Sequence, residues 1–486
     1  MMAHGPVTDP EKPVIVLFRH DLRIRDNRAL SAAADTGKPV VAVFILDEES
    51  DGVRAIGGAR RWWLHHSLSA LSNVLQEFGV RLLLLRGAMQ SIVEALQKQS
   101  GADLVFWNRR YDPAEIDADD AMEASLRDRG VASVSFDGHL LHEPSELKTG
   151  SGTEYRVYTP FWNALSKSLP RDPVDAPKKL RPFSKVLASD ALDGWDLLPT
   201  NPDWAKEFSD TWQPGEAGAH KRLAEFLEEP VDGYGQARDT PGIEATSRLS
   251  PHLAHGEITP FQIFAATRSR RIDAPSGDVD KFRKEIGWRE FCYQQLFHNR
   301  DLATVNYNRA FDGFTWSRHD ALRRRWQRGE TGYPIVDAGM RQLWRTGWMH
   351  NRVRMIVASF LTKDLLIDWR EGEKWFWDTL VDADAASNAA NWQWVAGSGA
   401  DASPYFRIFN PILQGKKFDP DGAYVRHYVG ELDGLPDKII HEPWLAREDG
   451  FSKILAGNAA SYPAPAVDHQ EARRRALQEY EDMKNA

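Results

Sequence analysis

Sulfur is scarce in this chain: of 486 residues only Cys292 is a cysteine. No internal disulfide framework is possible, and no thiolate cluster can hold zinc, so metal chemistry is not expected. Also missing is any run of about 18 apolar residues, roughly the least that a membrane-spanning helix needs. The opening segment MMAHGPVTDPEKP carries proline and charge where a secretory leader would be apolar, and the chain is therefore expected in the cytoplasm with no membrane partner. No GxGxxG follows the first apolar run and no GxxxxGKS/T occurs anywhere, which disfavours ordinary dinucleotide-dehydrogenase and P-loop chemistry. An overall positive charge is absent too. The formal net charge of -9 argues by itself against nucleic acid, since phosphate binding needs a basic surface.

The distribution of charge reverses that argument. Between Arg318 and Arg354 stand nine arginines against three acids, Asp320, Glu330 and Asp337, so one stretch of an acidic chain is strongly basic. A solvated helix face would look the same. The second excess is of tryptophan, 18 residues that fall mostly after residue 190. That many indoles exceed what a core needs, and they suit stacking on bases or on a flat cofactor.

The length calls for more than one hydrophobic core. Through the first 140 residues, short apolar runs (Val14–Phe18, Val40–Leu46, Leu82–Leu85, Leu104–Trp107, Val131–Phe136) alternate with amphipathic stretches around 27–35, 59–78, 89–99 and 113–129. This pattern predicts an α/β domain over 12–140: a doubly wound, Rossmann-like sheet of five parallel strands with helices on both faces. Residues 141–215, rich in Pro, Lys and Asp without a sustained period, read as a connector wrapped on the surface. From 216 to 486 the period is helical, with stretches at 281–298, 334–346, 348–366 and 371–380, and the second domain is expected to be nearly all α.

Several constellations could carry chemistry. In TSRLSPHLAHGEI, Thr246, Ser247 and Ser250 can cap a helix whose N-terminus, with Arg248, would suit a diphosphate; a plain helix cap explains them equally well. In KEIGWREFCYQQ, Glu285 and Trp288 share a helix face, which fits either a core with a solvated rim or a base-binding wall. The densest stretch runs from Val381 to Pro411, where small residues lie between Asp382, Asp384, Asn388, Trp392, Trp394 and Arg407.

Taken in order, TSRLSP, WREF, TGYPIVDAGMRQL, WMHNRVRMI, LLIDWREGEKWF, DADAASNAANWQW and FRIFNP resemble the flavin-binding domain of cyclobutane pyrimidine dimer photolyases. FRHDLRIRDN is similar to that family's first strand and turn. The resemblance implies a U-shaped FAD in an all-α C-terminal domain, with Tyr234, Thr246, Ser247, Leu249 and Ser250 around its diphosphate and ribityl chain and Arg289 in contact. Arg354 and Asp382 would pair beside the flavin, Asp384 would meet its pyrimidine edge, and Asn388 would face N5, where plant-type cryptochromes look to carry Asp. The resemblance places Glu285, Trp288, Asn351, Met355 and Trp394 around the dimer; photolyases of (6-4) lesions look to carry histidines in place of Asn351 and Met355. It assigns Arg238, Arg352 and Arg407 to DNA phosphates, and Trp392, Trp369 and Trp316 to the chain of indoles that reduces photoexcited flavin.

The activity implied is light-driven splitting of dimers in UV-damaged DNA, an electron passing from excited reduced FAD to the dimer and back, by a class I or class III bacterial enzyme. An antenna pigment is expected between the domains, methenyltetrahydrofolate in preference to 8-hydroxy-5-deazaflavin or none, with Glu115 the one contact carried over. The protein is expected to act as a monomer. The nearest rival is a cryptochrome-type photoreceptor, which would favour a long polar tail and altered pocket residues.

Overall fold

The protein is described here from a computed structural model, over residues 9–168, 170–273, 277–402, 406–447 and 461–485. Five parallel strands, β1 (Val14–Phe18), β2 (Pro39–Leu46), β3 (Leu82–Arg86), β4 (Leu104–Asn108) and β5 (Ala132–Phe136), stand in the order β3-β2-β1-β4-β5. Every residue of β1, β2 and β4 is buried. That explains their unbroken apolar runs: helices cover both faces, so alternation has no use. Edge strand β5 is half exposed and reads ASVSF. A two-residue strand, β6 (Arg181–Pro182), adds to β2 and was not expected from sequence.

The crossover helices start where capping chemistry puts them. The Asn27 side chain accepts from the Leu30 amide and opens Arg28–Asp35. Asp112 caps Pro113–Asp128, with proline in the first turn.

After residue 216 the described residues form helices and no strand. Their main core gathers Trp326, Phe360, Trp369, Phe376 and Trp392 with aliphatic residues of Pro334–Thr346 and Asn351–Ser359. The expected helix at 348–366 is interrupted: His350 caps Asn351–Ser359, and Phe360–Asp364 widens into a π-turn. Among the described residues no helix is long and apolar enough to cross a membrane.

The connector is more buried than its composition suggests. Tyr158–Leu165 is a helix that packs on Asp278–His298. Trp195 and Leu197 join the core under the sheet, and Phe208 and Trp212 pack with Trp62, Trp63 and Trp348. Isolated large aromatics anchor the segment, so no period betrays the burial.

The two halves interlock. Buried Glu257 accepts from Trp63 Nε1 at 2.9 Å and the Gly215 amide at 2.7 Å, and Ser67 hydrogen-bonds to it as well. Arg23 donates to the Gly256 carbonyl at 2.7 Å. Gly256 has φ +64°, and a Cβ there would lie 1.9 Å from the His20 carbonyl oxygen, so this close approach requires glycine.

Candidate active site

Two helices frame the site: Asp278–His298, carrying Glu285, Trp288 and Arg289, and Ala385–Ala396, carrying Asn388, Trp392 and Trp394. Asp384 caps the second helix, its Oδ1 accepting from the amides of Ala386 and Ser387 at 3.0 and 2.6 Å. Burial pushes its carboxyl pKa upward. Small residues at 385, 386, 389 and 390 keep that helix thin. A cavity between the helices has Trp288 and Trp394 in its wall, together with Phe291, Cys292 and Asn391. The two indoles expected to flank a base are thus brought to one opening.

Trp288 has one face taken. Tyr158 from the connector stacks on it with centroids 3.7 Å apart and planes 9° from parallel, and the Tyr158 hydroxyl donates to the Lys284 carbonyl at 2.6 Å. Nothing in the sequence pointed to Tyr158. Trp394 is fixed through its Nε1, which donates to the Asp401 carbonyl at 3.2 Å.

Arg354 and Asp382 form a two-bond ion pair at 3.1 and 2.8 Å. Asp382 also accepts from Ser250 Oγ at 2.6 Å, and Trp348 Nε1 approaches the same hydroxyl at 3.3 Å. Leu249 and Tyr234 are buried beside Phe226 and Phe282 in one cluster. Thr246 and Ser247 are half-buried before the short helix Ser250–Ala254.

Asn388 is buried, and its Nδ2 donates to the Glu373 carbonyl at 3.0 Å and to Glu373 Oε1 at 2.9 Å. Glu373 in turn pairs with Arg54 of the N-terminal layer, at 2.7 and 3.1 Å. Asn388 is therefore held by Glu373, whose carboxylate the other half of the molecule steadies, and among the described residues its Oδ1 accepts no hydrogen bond. Neither Glu373 nor Arg54 was legible from sequence, because the contact spans 319 positions.

Several residues expected at cofactor or DNA also have partners within the protein. Arg289 donates to the His139 carbonyl at 3.0 Å and reaches His139 Nε2 at 2.7 Å, tying the helical half to the end of the sheet. Arg238 forms an ion pair with Glu285, and Arg352 pairs with Asp239 at 2.9 Å and lies over Phe418. Asn351 is exposed, Met355 half-buried, and Arg407 exposed with its guanidinium 5.7 Å from the Trp394 ring centre.

Of the three indoles proposed as an electron path, Trp392 and Trp369 are buried and Trp316 is half-buried against the same core. A Cβ at Gly372 would lie 2.1 Å from Trp392 Cη2. The Trp392 ring therefore covers the first turn of the helix that Trp369 begins.

Glu115 lies in a second cavity, between the sheet's carboxyl ends and the helical half, with Arg54, Arg60, Tyr111, Tyr293 and Trp377. Its Oε1 contacts Arg110 at 3.2 Å and His20 at 3.3 Å, while its Oε2 is buried with no hydrogen-bond partner among the described residues. Arg60 is 5% exposed, makes no ion pair among the described residues and has a buried Nε without a partner. Buried charges left open in this way call for a polar ligand.

His350, 3% exposed at the start of the helix bearing Asn351 and Met355, accepts from the Arg352 amide through Nδ1 at 3.2 Å. Burial, the larger cause, lowers its pKa from 6.5 to about 4, Asp239 opposing. The folded histidine stays neutral where an unfolded one takes a proton. Stability is therefore full above pH 6.5 and falls as pH drops toward about 4. His350→Asn, which keeps a capping acceptor, is expected to flatten this part of the pH profile of the urea midpoint. An unchanged slope would assign the effect to other groups.

Comparison with known proteins agrees with the geometry. Residues 14–179 match the model of DNA photolyase, and 282–482 that of the FAD binding domain of DNA photolyase. A deoxyribodipyrimidine photo-lyase of Agrobacterium fabrum is 57% identical, the match covering 97% of this chain and 98% of that protein. The crystal structure of a bacterial class III photolyase from Agrobacterium tumefaciens superposes with a TM-score of 0.94 at 55% identity, over 100% of both chains. Arabidopsis thaliana cryptochrome-1 is 36% identical, the match covering 95% of this chain but 69% of that longer protein. With both halves matched and a close relative aligned almost end to end, the chain belongs to the DNA photolyase family, which it shares with the cryptochromes.

Proposed function

We propose that this chain uses light to split cyclobutane pyrimidine dimers in UV-damaged DNA. The observation that carries the reading is the convergence of Trp288 and Trp394 on one cavity, between two helices of which the second also carries Asn388. Two flat apolar walls suit an extruded lesion, which is poorly stacked in the duplex and costs less to flip than a normal base. A cryptochrome-type photoreceptor would need no such walls.

The residues present fit FAD. Thr246, Ser247 and Ser250 offer hydroxyls for its diphosphate, with Tyr234 and Leu249 as apolar packing. Asp384 offers a buried carboxyl for the pyrimidine edge, and Asn388 an amide at N5. Reduced FAD, when bound, supplies the light-absorbing one-electron donor that opens the cyclobutane ring and regains the electron. The protein supplies placement and exclusion of water. Arg238 holds Glu285 at the mouth; a DNA phosphate that competes for Arg238 would release the carboxyl to the thymine edge, beside Asn351 and Met355. Arg352 and Arg407 supply further phosphate contacts. Trp392, Trp369 and Trp316 carry electrons from the surface to the flavin.

The antenna is assigned to the cavity beside Glu115. A methenyltetrahydrofolate pterin presents adjacent N–H donors that a carboxylate such as Glu115 can accept, and Trp377 offers a flat face. A deazaflavin is the alternative. The likeness to a class III enzyme favours that branch over class I. The functional monomer is placed in the cytoplasm.

The purified protein is expected to carry flavin absorption and to restore dimer-containing oligonucleotides only under near-UV or blue light. A yellow protein that leaves dimers intact under light would instead favour the photoreceptor. Extracted chromophores identified by mass decide the antenna.

A further inference from the structure

Lys363 is fully buried, and among the described residues no carboxylate pairs with it. It sits in the π-turn Phe360–Asp364, a local widening of the kind that marks functional segments. Its Nζ donates to the carbonyl of Ala396, the last residue of the helix that carries Asn388, Trp392 and Trp394, where the final carbonyls have no partner within the helix. The same Nζ lies 3.3 Å from the ring centre of Phe406. On Phe406 stacks Tyr480 of the C-terminal helix His469–Asn485, with centroids 4.4 Å apart and planes 8° from parallel. Phe406 thus belongs to a layered stack of the Lys363 amine, its own ring and the Tyr480 ring.

The next residue in the π-turn serves the opposite purpose. Asp364 hydrogen-bonds His469, and its carbonyl accepts from Arg475 at 2.9 Å. Both partners belong to the C-terminal helix, so adjacent residues of one turn grip that helix and the ring it stacks on. Downstream of Phe406, the Phe409 amide donates to Ser359 Oγ at 3.1 Å. Between those two anchors stands Arg407, exposed and lying over Trp394.

We propose that Lys363 and Tyr480 clamp Phe406 so that Arg407 is held at the mouth of the lesion pocket, which makes the C-terminal helix a positioning element for DNA binding. The inference rests on the reading of Arg407 as a phosphate contact, and it gives Tyr480 a role that flavin chemistry does not require. The Tyr480 ring, not its hydroxyl, does the positioning: no hydrogen bond engages the hydroxyl among the described residues. Without the flat ring, Phe406 loses one of its two faces and Arg407 is no longer held at the mouth, so its phosphate contact is not made in the complex.

The test uses FAD-loaded protein and a dimer-containing duplex in the dark. Tyr480→Ala is expected to weaken binding about tenfold, the worth of one charge-assisted contact. It should also reduce the slope of log Kd against log salt by about one, as loss of a single phosphate contact does. Tyr480→Phe should match the parent in both. Arg407→Ala should reproduce the affinity and slope changes, and the double variant should be no weaker than Arg407→Ala. Flavin content and its photoreduction should not move. Where Tyr480→Ala fails to fold, Tyr480→Leu keeps an apolar side chain without the flat face.

Unchanged affinity in the Tyr480 variant overturns the clamp. So does weakened binding at an unchanged salt slope, because the lost contact is then not an ionic one. If Arg407→Ala itself binds like the parent, the phosphate reading of Arg407 fails, and the clamp fails with it in a way the first two outcomes do not resemble.

Discussion

Asp382→Ala is expected to yield a colourless, less stable protein. Asp382 is almost wholly buried and takes three hydrogen bonds, two from the Arg354 guanidinium and one from Ser250. Removing it leaves a largely buried cation without an anion and a hydroxyl without an acceptor, and breaking a buried pair from one side costs about 3 kcal/mol. The Arg354 side chain keeps 23% exposure, so water recovers part of that loss. The flavin should be lost with the pair, since a freed Arg354 no longer has a fixed place beside it. Urea denaturation and the visible spectrum of the purified variant check both effects. A yellow protein with the parent midpoint would show that the pair neither braces the fold nor shapes the cofactor site.

The second large effect is kinetic. Trp369→Phe should nearly abolish light-driven flavin reduction by an external thiol, while protein reduced chemically beforehand repairs dimers as the parent does. Electron transfer weakens steeply with distance, and phenylalanine is far harder to oxidise than indole, so the middle step has no substitute. The variant also leaves Asn306 Oδ1 without the Trp369 Nε1 donor it now accepts from at 2.9 Å, a destabilisation of about 1–3 kcal/mol. A modest fall in the denaturation midpoint is therefore expected alongside the photochemical defect. Photoreduction at the parent rate would mean that electrons reach the flavin by another path.

The strands were legible because burial on both faces leaves unbroken β-branched runs, and the crossover helices because amphipathic stretches alternate with those runs. The connector was misjudged: proline and lysine dominate its composition, while single aromatics such as Tyr158, Phe208 and Trp212 do the packing. The π-turn left no trace, since a one-residue widening does not disturb an apolar period enough to be seen. In the site, the Arg354–Asp382 pair was implied by the family resemblance and is present, and residues clustered in one string were read together. Pairings across the chain could not be read. Arg289 engages His139, Arg238 engages Glu285, and Asn388 answers through Glu373 to Arg54. Periodicity and local spacing carry no information about such partners, which only the folded arrangement of the two halves brings together.

The Arg54–Glu373–Asn388 relay makes the two halves unequal partners to cut apart. A fragment that began after the connector would keep the Asn388 amide on the Glu373 backbone, yet the Glu373 carboxylate would lose the guanidinium that steadies it from behind. The helical half therefore borrows part of its rigidity from a segment more than three hundred positions away in the chain.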